Sequence, residues 1–283
     1  MTPQELNHLK LTAVRARQLI IEAIHAAGTG HPGGSLSAID YLTYLYQAEL
    51  RVDPSDRQNP DRDRFVLSKG HVAPALYAAL AQKGFFPEAE LLTLRQPGSR
   101  LQGHPNMHDT PGVEFSTGSL GQGFSAAVGM AKGADFLKKD FRVYALLGDG
   151  ELDEGEVWEA AAYASNYHLD HLCIAADING LQIDGPSSEV MNMEPIDRKF
   201  ESFGFYVIKI DGHDFEAMEQ ALSRFHENIG TGRPTCILLK TVKGKGVSFM
   251  ENAVGWHGKA PNDKEFEQAM KELKQEEEKI KEA

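Results

Sequence analysis

Residues Tyr144–Ala160, YALLGDGELDEGEVWEA, set an aspartate between two glycines where an apolar run stops and an acidic segment begins. The apolar run reads as a buried strand, GDG as the turn at its carboxyl end, and the segment from about Gly155 as a helix. Glycines let the backbone approach an anion closely, and an aspartate at this point projects from the end of the strand. In open α/β sheets, ligands collect outside the carboxyl ends of the strands. The triplet is therefore a candidate metal site as well as a turn.

Working outward, the same strand, loop and helix order recurs. Apolar spacing predicts helices over 6–27, 37–49, 72–84, 121–138, 155–168 and 214–229, and strands at 65–68, 143–147, 172–177, 205–210 and 235–240. Residues 95–118, rich in Gly, Pro and His, read as a loop, as does the stretch through Pro195. Apolar strands alternating with helices predict an α/β fold, a parallel sheet with helices on both faces. We expect one domain over 1–261 and a charged C-terminal helical extension over 262–283, solvated or facing a partner.

The chain has 283 residues, and 29 Lys+Arg against 41 Asp+Glu give a formal net charge of −12. No basic stripe interrupts that charge, so neither nucleic acid nor an anionic membrane is an expected partner. The two cysteines, Cys173 and Cys236, lie in apolar runs and read as core thiols in a reducing compartment. The N-terminus lacks an apolar signal core and no apolar run is long enough to span a bilayer, so a soluble cytoplasmic protein is expected.

Of the glycine-rich segments, GTGHPG (28–33) fits a dinucleotide pattern but follows a helix instead of a strand, and VKGKG after strand 235–240 lacks phosphate-loop spacing. GDG differs, because the next strand, CIAADIN, ends in Asn179. Asp149 and Asn179 can then stand at neighbouring strand ends. Two oxygen ligands with room for phosphate oxygens suit Mg²⁺, and imply a diphosphate as the ligand.

GDGELDEGEVWEA followed by DINGLQIDG resembles the thiamine-diphosphate signature in its transketolase form. GTGHPGGSLSAID, FVLSKGHVAPALYAAL, LQGHPNMHDTPGVEFSTGSLGQG and VGWHGKAP resemble transketolase segments in the same order, over residues from about 10 to 260. The resemblance implies a thiamine-diphosphate-binding diphosphate domain. It implies Mg²⁺ (or Ca²⁺ or Mn²⁺ in its place) on Asp149, Asn179 and the Leu181 carbonyl, and Gly150 N–H toward the diphosphate. Gly118, Ser119, Leu120 and Ile183 would contact thiamine. His31 and His257 would handle the donor hydroxyl proton, His71 would touch the diphosphate, His104 would bond the donor's terminal hydroxyl, and Glu154 with Glu159 would face a subunit interface. Histidine suits such work because its pKa lies near neutrality.

In this family a second, pyrimidine-binding domain supplies the carboxylate beside the aminopyrimidine ring, and nothing here resembles it. The resemblance thus implies the N-terminal subunit of a split transketolase, completed by a C-terminal partner, as an α2β2 assembly acting on sugar phosphates. Its reaction would be ketol transfer from a ketose phosphate to an aldose phosphate. Other readings are a deoxyxylulose-phosphate synthase, the α subunit of a 2-oxoacid dehydrogenase, or a non-catalytic cofactor-binding subunit. Glu151, Asp153 and Asn106 differ from the commonest full-length pattern and leave fine specificity open.

Overall fold

The strands read as unbroken apolar runs because both faces of the sheet are covered. In the computed structural model, which describes residues 1–282, β1 (Arg64–Leu67), β2 (Val143–Gly148), β3 (Leu172–Ile178), β4 (Tyr206–Asp211) and β5 (Thr235–Lys240) form one sheet in the order β1-β2-β3-β5-β4. All four pairings are parallel. The helices are α1 (Pro3–Ala27), α2 (Pro32–Tyr44), α3 (Ala73–Lys83), α4 (Gln122–Leu137), α5 (Gly155–Asn166), α6 (Ser187–Val190), α7 (Ile196–Ser202), α8 (Phe215–Asn228) and α9 (Asp263–Glu282).

Strand side chains alternate between two cores. Tyr144, Leu146, Cys173 and Ala175 enter the core shared with α1, α2, α3 and α8, whereas Val143, Ala145, Ile174 and Cys236 enter the core shared with α4, α5 and α7. Cys173 and Cys236 are both free thiols and point to opposite faces. No helix among the described residues is long and apolar enough to cross a membrane.

The structure departs from the sequence expectation in three places. Helix α2 starts at Pro32 instead of Ser37, with proline in its first turn, where the missing N–H costs nothing. Gly33 and Gly34 lie inside this helix, where their neighbours leave room for nothing larger: a Cβ on Gly33 would lie 2.9 Å from the Trp256 carbonyl oxygen, and one on Gly34 2.8 Å from Val72. The stretch read as loop through Pro195 holds two short helices, α6 and α7. Only two buried residues, Ile196 and Phe200, mark α7, too few for a periodicity to stand out. Helix α9, though highly charged, buries Ala269, Met270 and Leu273 and packs along α1.

One buried polar junction ties the first layer together. Arg17 on α1 donates to both carboxylate oxygens of Asp40 on α2 (2.9 and 2.6 Å) and to the Lys245 carbonyl (3.1 Å). His213 joins through Nδ1 to Asp40 (2.7 Å), while its Nε2 accepts the Val242 N–H (2.9 Å). Burial alone would raise the Asp40 pKa, but the Arg17 guanidinium and His213 outweigh it and hold the carboxyl below its ordinary value. Asp40→Ala would strand a buried guanidinium, and its unfolding free energy in urea should fall by about 3–5 kcal/mol. Asp40→Asn, which keeps the shape and one acceptor, should lose less.

Candidate functional site

A cavity of about 290 Å³ opens beyond the carboxyl ends of β1, β2 and β3, lined in part by Lys69, His71, Gly118, Leu120, Asp149, Gly150, Asn179, Leu181, Ile183, Lys243 and His257. Register places Gly148 of β2 beside Asp177 of β3, so Asp149 and Asn179 leave adjacent strands. Asp149 is 6 % exposed. Its Oδ1 accepts the Gly150 N–H (2.9 Å), and its Oδ2 accepts the Gly180 N–H (2.7 Å) and the Ser187 hydroxyl (3.3 Å). Burial and the neighbouring Asp177 raise its pKa, opposed by Lys69 and the two N–H groups. Asn179 Oδ1 accepts the Leu181 N–H at 3.1 Å, and the Leu181 carbonyl accepts from Lys243 Nζ at 3.1 Å.

Carboxylate, amide and carbonyl oxygens in one place form a hard donor set that fits Mg²⁺. Among the described residues no group of three His, Cys, Asp or Glu side chains could hold a metal. A cation here would thus complete its shell with water and oxygens of the ligand it fastens, as Mg²⁺ ordinarily does. Lys243 Nζ already brings a positive charge to the Leu181 carbonyl.

Two lysines that the sequence reading did not select supply positive charge in this acidic chain. Lys69 Nζ donates to Asp177 at 2.5 Å, both side chains being buried. Lys243 Nζ also lies 3.0 Å from His257 Nδ1. Burial, and then Lys69, push the Lys243 pKa down to about 8. The available signal was position: SKG follows β1 and VKGKG follows β5, both at carboxyl ends of strands. Glu151 also lines the cavity and was not among the selected site residues. Its carboxylate, 1 % exposed, accepts from the Ser68 hydroxyl and from the N–H groups of Gly121 (2.8 Å) and Gly148 (3.0 Å), joining three walls of the cavity.

Three of the predicted histidines meet as a cluster. Ring centroids lie 5.3 Å apart for His31 and His71, 5.5 Å for His31 and His257, and 5.2 Å for His71 and His257. Burial, reinforced by cations, keeps them neutral: His31 is pushed down to about 4 by burial, Arg95, His104 and Lys243, and His257 to about 4 by burial, Lys243, His31 and Lys69. His71 falls well below its ordinary value for the same first cause. His31 Nδ1 is buried without a hydrogen-bond partner.

His104 stands apart from this cluster and packs on Gly118, where a Cβ would approach its ring to 3.1 Å. Ser119 is exposed and does not line the cavity, whereas Ile183 lines it and is 64 % exposed, an apolar side chain free to cover a ligand ring. Glu154 and Glu159, at the start of and within α5, are exposed and outside the cavity. An NMR titration of the imidazole carbons should give midpoints near 4 for His31 and His257, with both rings neutral at pH 7. Midpoints near 6.5 would contradict this electrostatic picture.

Comparison with known proteins places these features in context. Residues 9–281 match the family described as "Transketolase, thiamine diphosphate binding domain". The chain is 44 % identical over 276 residues to the 6-deoxy-6-sulfo-D-fructose transketolase subunit SqwG of Clostridium sp. (strain MSTE9), covering 98 % of this chain and 99 % of that protein. It is 41 % identical to an apulose-4-phosphate transketolase subunit of Actinobacillus succinogenes, covering 98 % and 100 %. The crystal structure of transketolase from Campylobacter jejuni superposes with a TM-score of 0.87 at 30 % identity, over 96 % of this chain and 45 % of that one.

Proposed function

This chain belongs to the transketolase family and carries its thiamine-diphosphate-binding domain, and we propose that it is the N-terminal subunit of a two-chain transketolase. Its reaction is the transfer of a two-carbon ketol unit from a ketose phosphate to an aldose phosphate. The observation that carries the proposal is the convergence of Asp149, Asn179 and the Leu181 carbonyl at adjoining strand ends, beside Lys69 and Lys243. End-to-end similarity to two proteins themselves named as transketolase subunits supports the two-chain organisation.

When bound, thiamine diphosphate supplies the nucleophilic carbon that makes and breaks the carbon–carbon bond. The chain's own residues hold and surround it. Asp149, Asn179 and the Leu181 carbonyl would hold Mg²⁺, and the Gly150 N–H, His71 and Lys243 would meet the diphosphate. Gly118, Leu120 and Ile183, which line the cavity, would pack on thiamine. His31, neutral and with Nδ1 free, can accept a donor hydroxyl proton and return it. Lys243 faces Nδ1 of His257, so its ammonium form fixes the proton of that imidazole on Nε2. His104 would bond the donor's terminal hydroxyl.

A partner carrying the pyrimidine-binding domain would provide the carboxylate beside the aminopyrimidine ring, in an α2β2 complex with Glu154 and Glu159 at the interface. In this reading residues 1–261 form the cofactor domain and 262–283 an extension, and the complex works in the cytoplasm, where Cys173 and Cys236 stay reduced. The sugar named in the SqwG relative gives a specific reason to include a sulfonated ketose among the donors tested.

The complex with a C-terminal partner carrying the pyrimidine-binding domain should bind thiamine diphosphate and Mg²⁺ in a calorimeter, and should transfer a ketol unit from xylulose 5-phosphate or 6-deoxy-6-sulfofructose to an aldose phosphate. Asp149→Ala and Asn179→Ala should each weaken that uptake at least about 100-fold, the loss expected when a charge-assisted contact disappears from a buried site. Lys243→Met should weaken it roughly 10- to 100-fold. A cofactor-loaded complex that transfers nothing from either donor would overturn the catalytic assignment.

A further inference from the structure

Residues 179–187, which follow β3, carry two of the three oxygens assigned to the cation, the Asn179 side chain and the Leu181 carbonyl. The segment folds back on itself: the Gln182 N–H donates to the Gly185 carbonyl (2.8 Å), the Ser187 N–H donates to the Gly180 carbonyl (2.9 Å), and Leu181 pairs with Pro186. Ile183 and Asp184 at its tip are exposed. Three of the hydrogen bonds that tie it to the rest of the chain end on oxygens the cation itself would use: the Gly180 N–H and the Ser187 hydroxyl on Asp149 Oδ2, and Lys243 Nζ on the Leu181 carbonyl. The remaining one among the described residues does not. Gln182 Nε2 donates to Asp153 Oδ2 at 2.9 Å.

Asp153 is a rigid anchor for that contact. It ends the Gly150–Asp153 turn, where its neighbour Leu152 is fully buried and offers its carbonyl to the Trp158 indole N–H at 2.8 Å. The Glu154 N–H closes the turn on the Glu151 carbonyl at 3.1 Å. Asp153 Oδ1 is buried with no hydrogen-bond partner among the described residues, so the carboxylate is held out of water for the one bond that Oδ2 makes. An unpaired buried carboxylate oxygen costs stability, and the contact with Gln182 is the feature that gives this placement a purpose. Gln182 in turn lies across Gly150, where a Cβ would come within 3.0 Å of its Cγ and 3.1 Å of its Cδ. Its side chain thus runs from the segment after β3, over the second glycine of GDG, to the entrance of α5.

We infer that Gln182 and Asp153 form a positioning pair that aims the Leu181 carbonyl at the cation. A backbone carbonyl has no side chain of its own to orient it; its direction is that of the peptide plane it shares with the next residue. That residue is Gln182, held at its N–H by Gly185 and at its side-chain amide by Asp153. Neither member of the pair touches the cation. Because their contact uses none of the cation's oxygens, it persists when Asp149, Asn179 and the Leu181 carbonyl are engaged. Mg²⁺ demands near-ideal octahedral geometry at short distances, whereas Ca²⁺ accepts irregular shells, so a tilted carbonyl penalises Mg²⁺ more. The inference rests on the cation assignment proposed above, and its test reads cation binding without ketol transfer.

The complex with a C-terminal partner subunit, stripped of metal by a chelator and saturated with thiamine diphosphate, is titrated calorimetrically with Mg²⁺ and separately with Ca²⁺. Gln182→Ala and Asp153→Ala should each weaken Mg²⁺ roughly 10- to 100-fold, the usual loss when a group that orients a metal ligand is removed. Ca²⁺ should weaken by about threefold or less. The double variant should lose no more than either single one, because the two side chains act as a unit. Asp153→Asn, which keeps an acceptor for Gln182, should stay within about threefold of wild type. Gln182 is only half-buried, so Gln182→Ala decides the matter even if Asp153→Ala fails to fold. Unchanged Mg²⁺ affinity in Gln182→Ala, losses that add in the double variant, an Asp153→Asn loss as large as that of Asp153→Ala, or equal losses for the two cations would each overturn the inference. Asp149→Ala run in parallel tells the two levels apart. Retained Mg²⁺ affinity there removes the cation assignment as well, whereas a loss confined to Asp149→Ala removes the positioning pair alone.

Discussion

Asp177 is the point on which the site depends. Its carboxylate, fully buried at the end of β3, accepts from Lys69 after β1, from Ser37 on α2 at 2.6 Å, and from the Thr241 hydroxyl after β5. Burial would drive the proton on, yet the Lys69 ammonium and the two hydroxyls keep the pKa below its ordinary value. Four segments distant in sequence are thereby fixed around one charge. An ion pair so enclosed contributes little net stability, because desolvation offsets most of its attraction; its value here is geometric, since every wall it pins faces the cavity.

The same pair organises the electrostatics. With Asp177 answered by Lys69, the Lys243 ammonium is left facing Asp149 and the Leu181 carbonyl, and it works against three imidazoles that burial has already made neutral. A site with neutral histidines, oxygen donors and surplus lysine charge is suited to an anion bridged by a divalent cation. Its imidazoles are unprotonated at pH 7, each with a nitrogen lone pair available as an acceptor. Glu151 adds a second buried carboxylate whose three hydrogen bonds hold the 118–121 loop against the ends of β1 and β2.

Much of this was readable in the linear chain. Fully covered strands produce apolar runs without alternation, so β2, β3 and β5 could be located, and the interval between GDG and Asn179 is one strand–helix–strand passage, which puts the two residues on neighbouring strands. Helix α2 was misplaced at its start because two glycines normally signal a turn; here they sit inside the helix, and glycine is required because a Cβ would collide with Trp256 or Val72. Helix α7 escaped notice because seven residues contain too little periodicity to read.

Composition and local pattern thus suffice for the parallel α/β architecture, for Asp149 and Asn179 at the ends of adjacent strands, and for a set of loop histidines. Which loops meet was fixed by strand order. Strand β5 is last in the chain but inserts between β3 and β4, so the loop that follows it, with Lys243, lands beside Asp177 and Leu181. No spacing rule encodes that insertion, because sheet position depends on how helices pack over the faces instead of on distance along the backbone. The grouping of Lys69, Lys243, His71 and His257 is for that reason a property of packing, legible only once the layers are assembled.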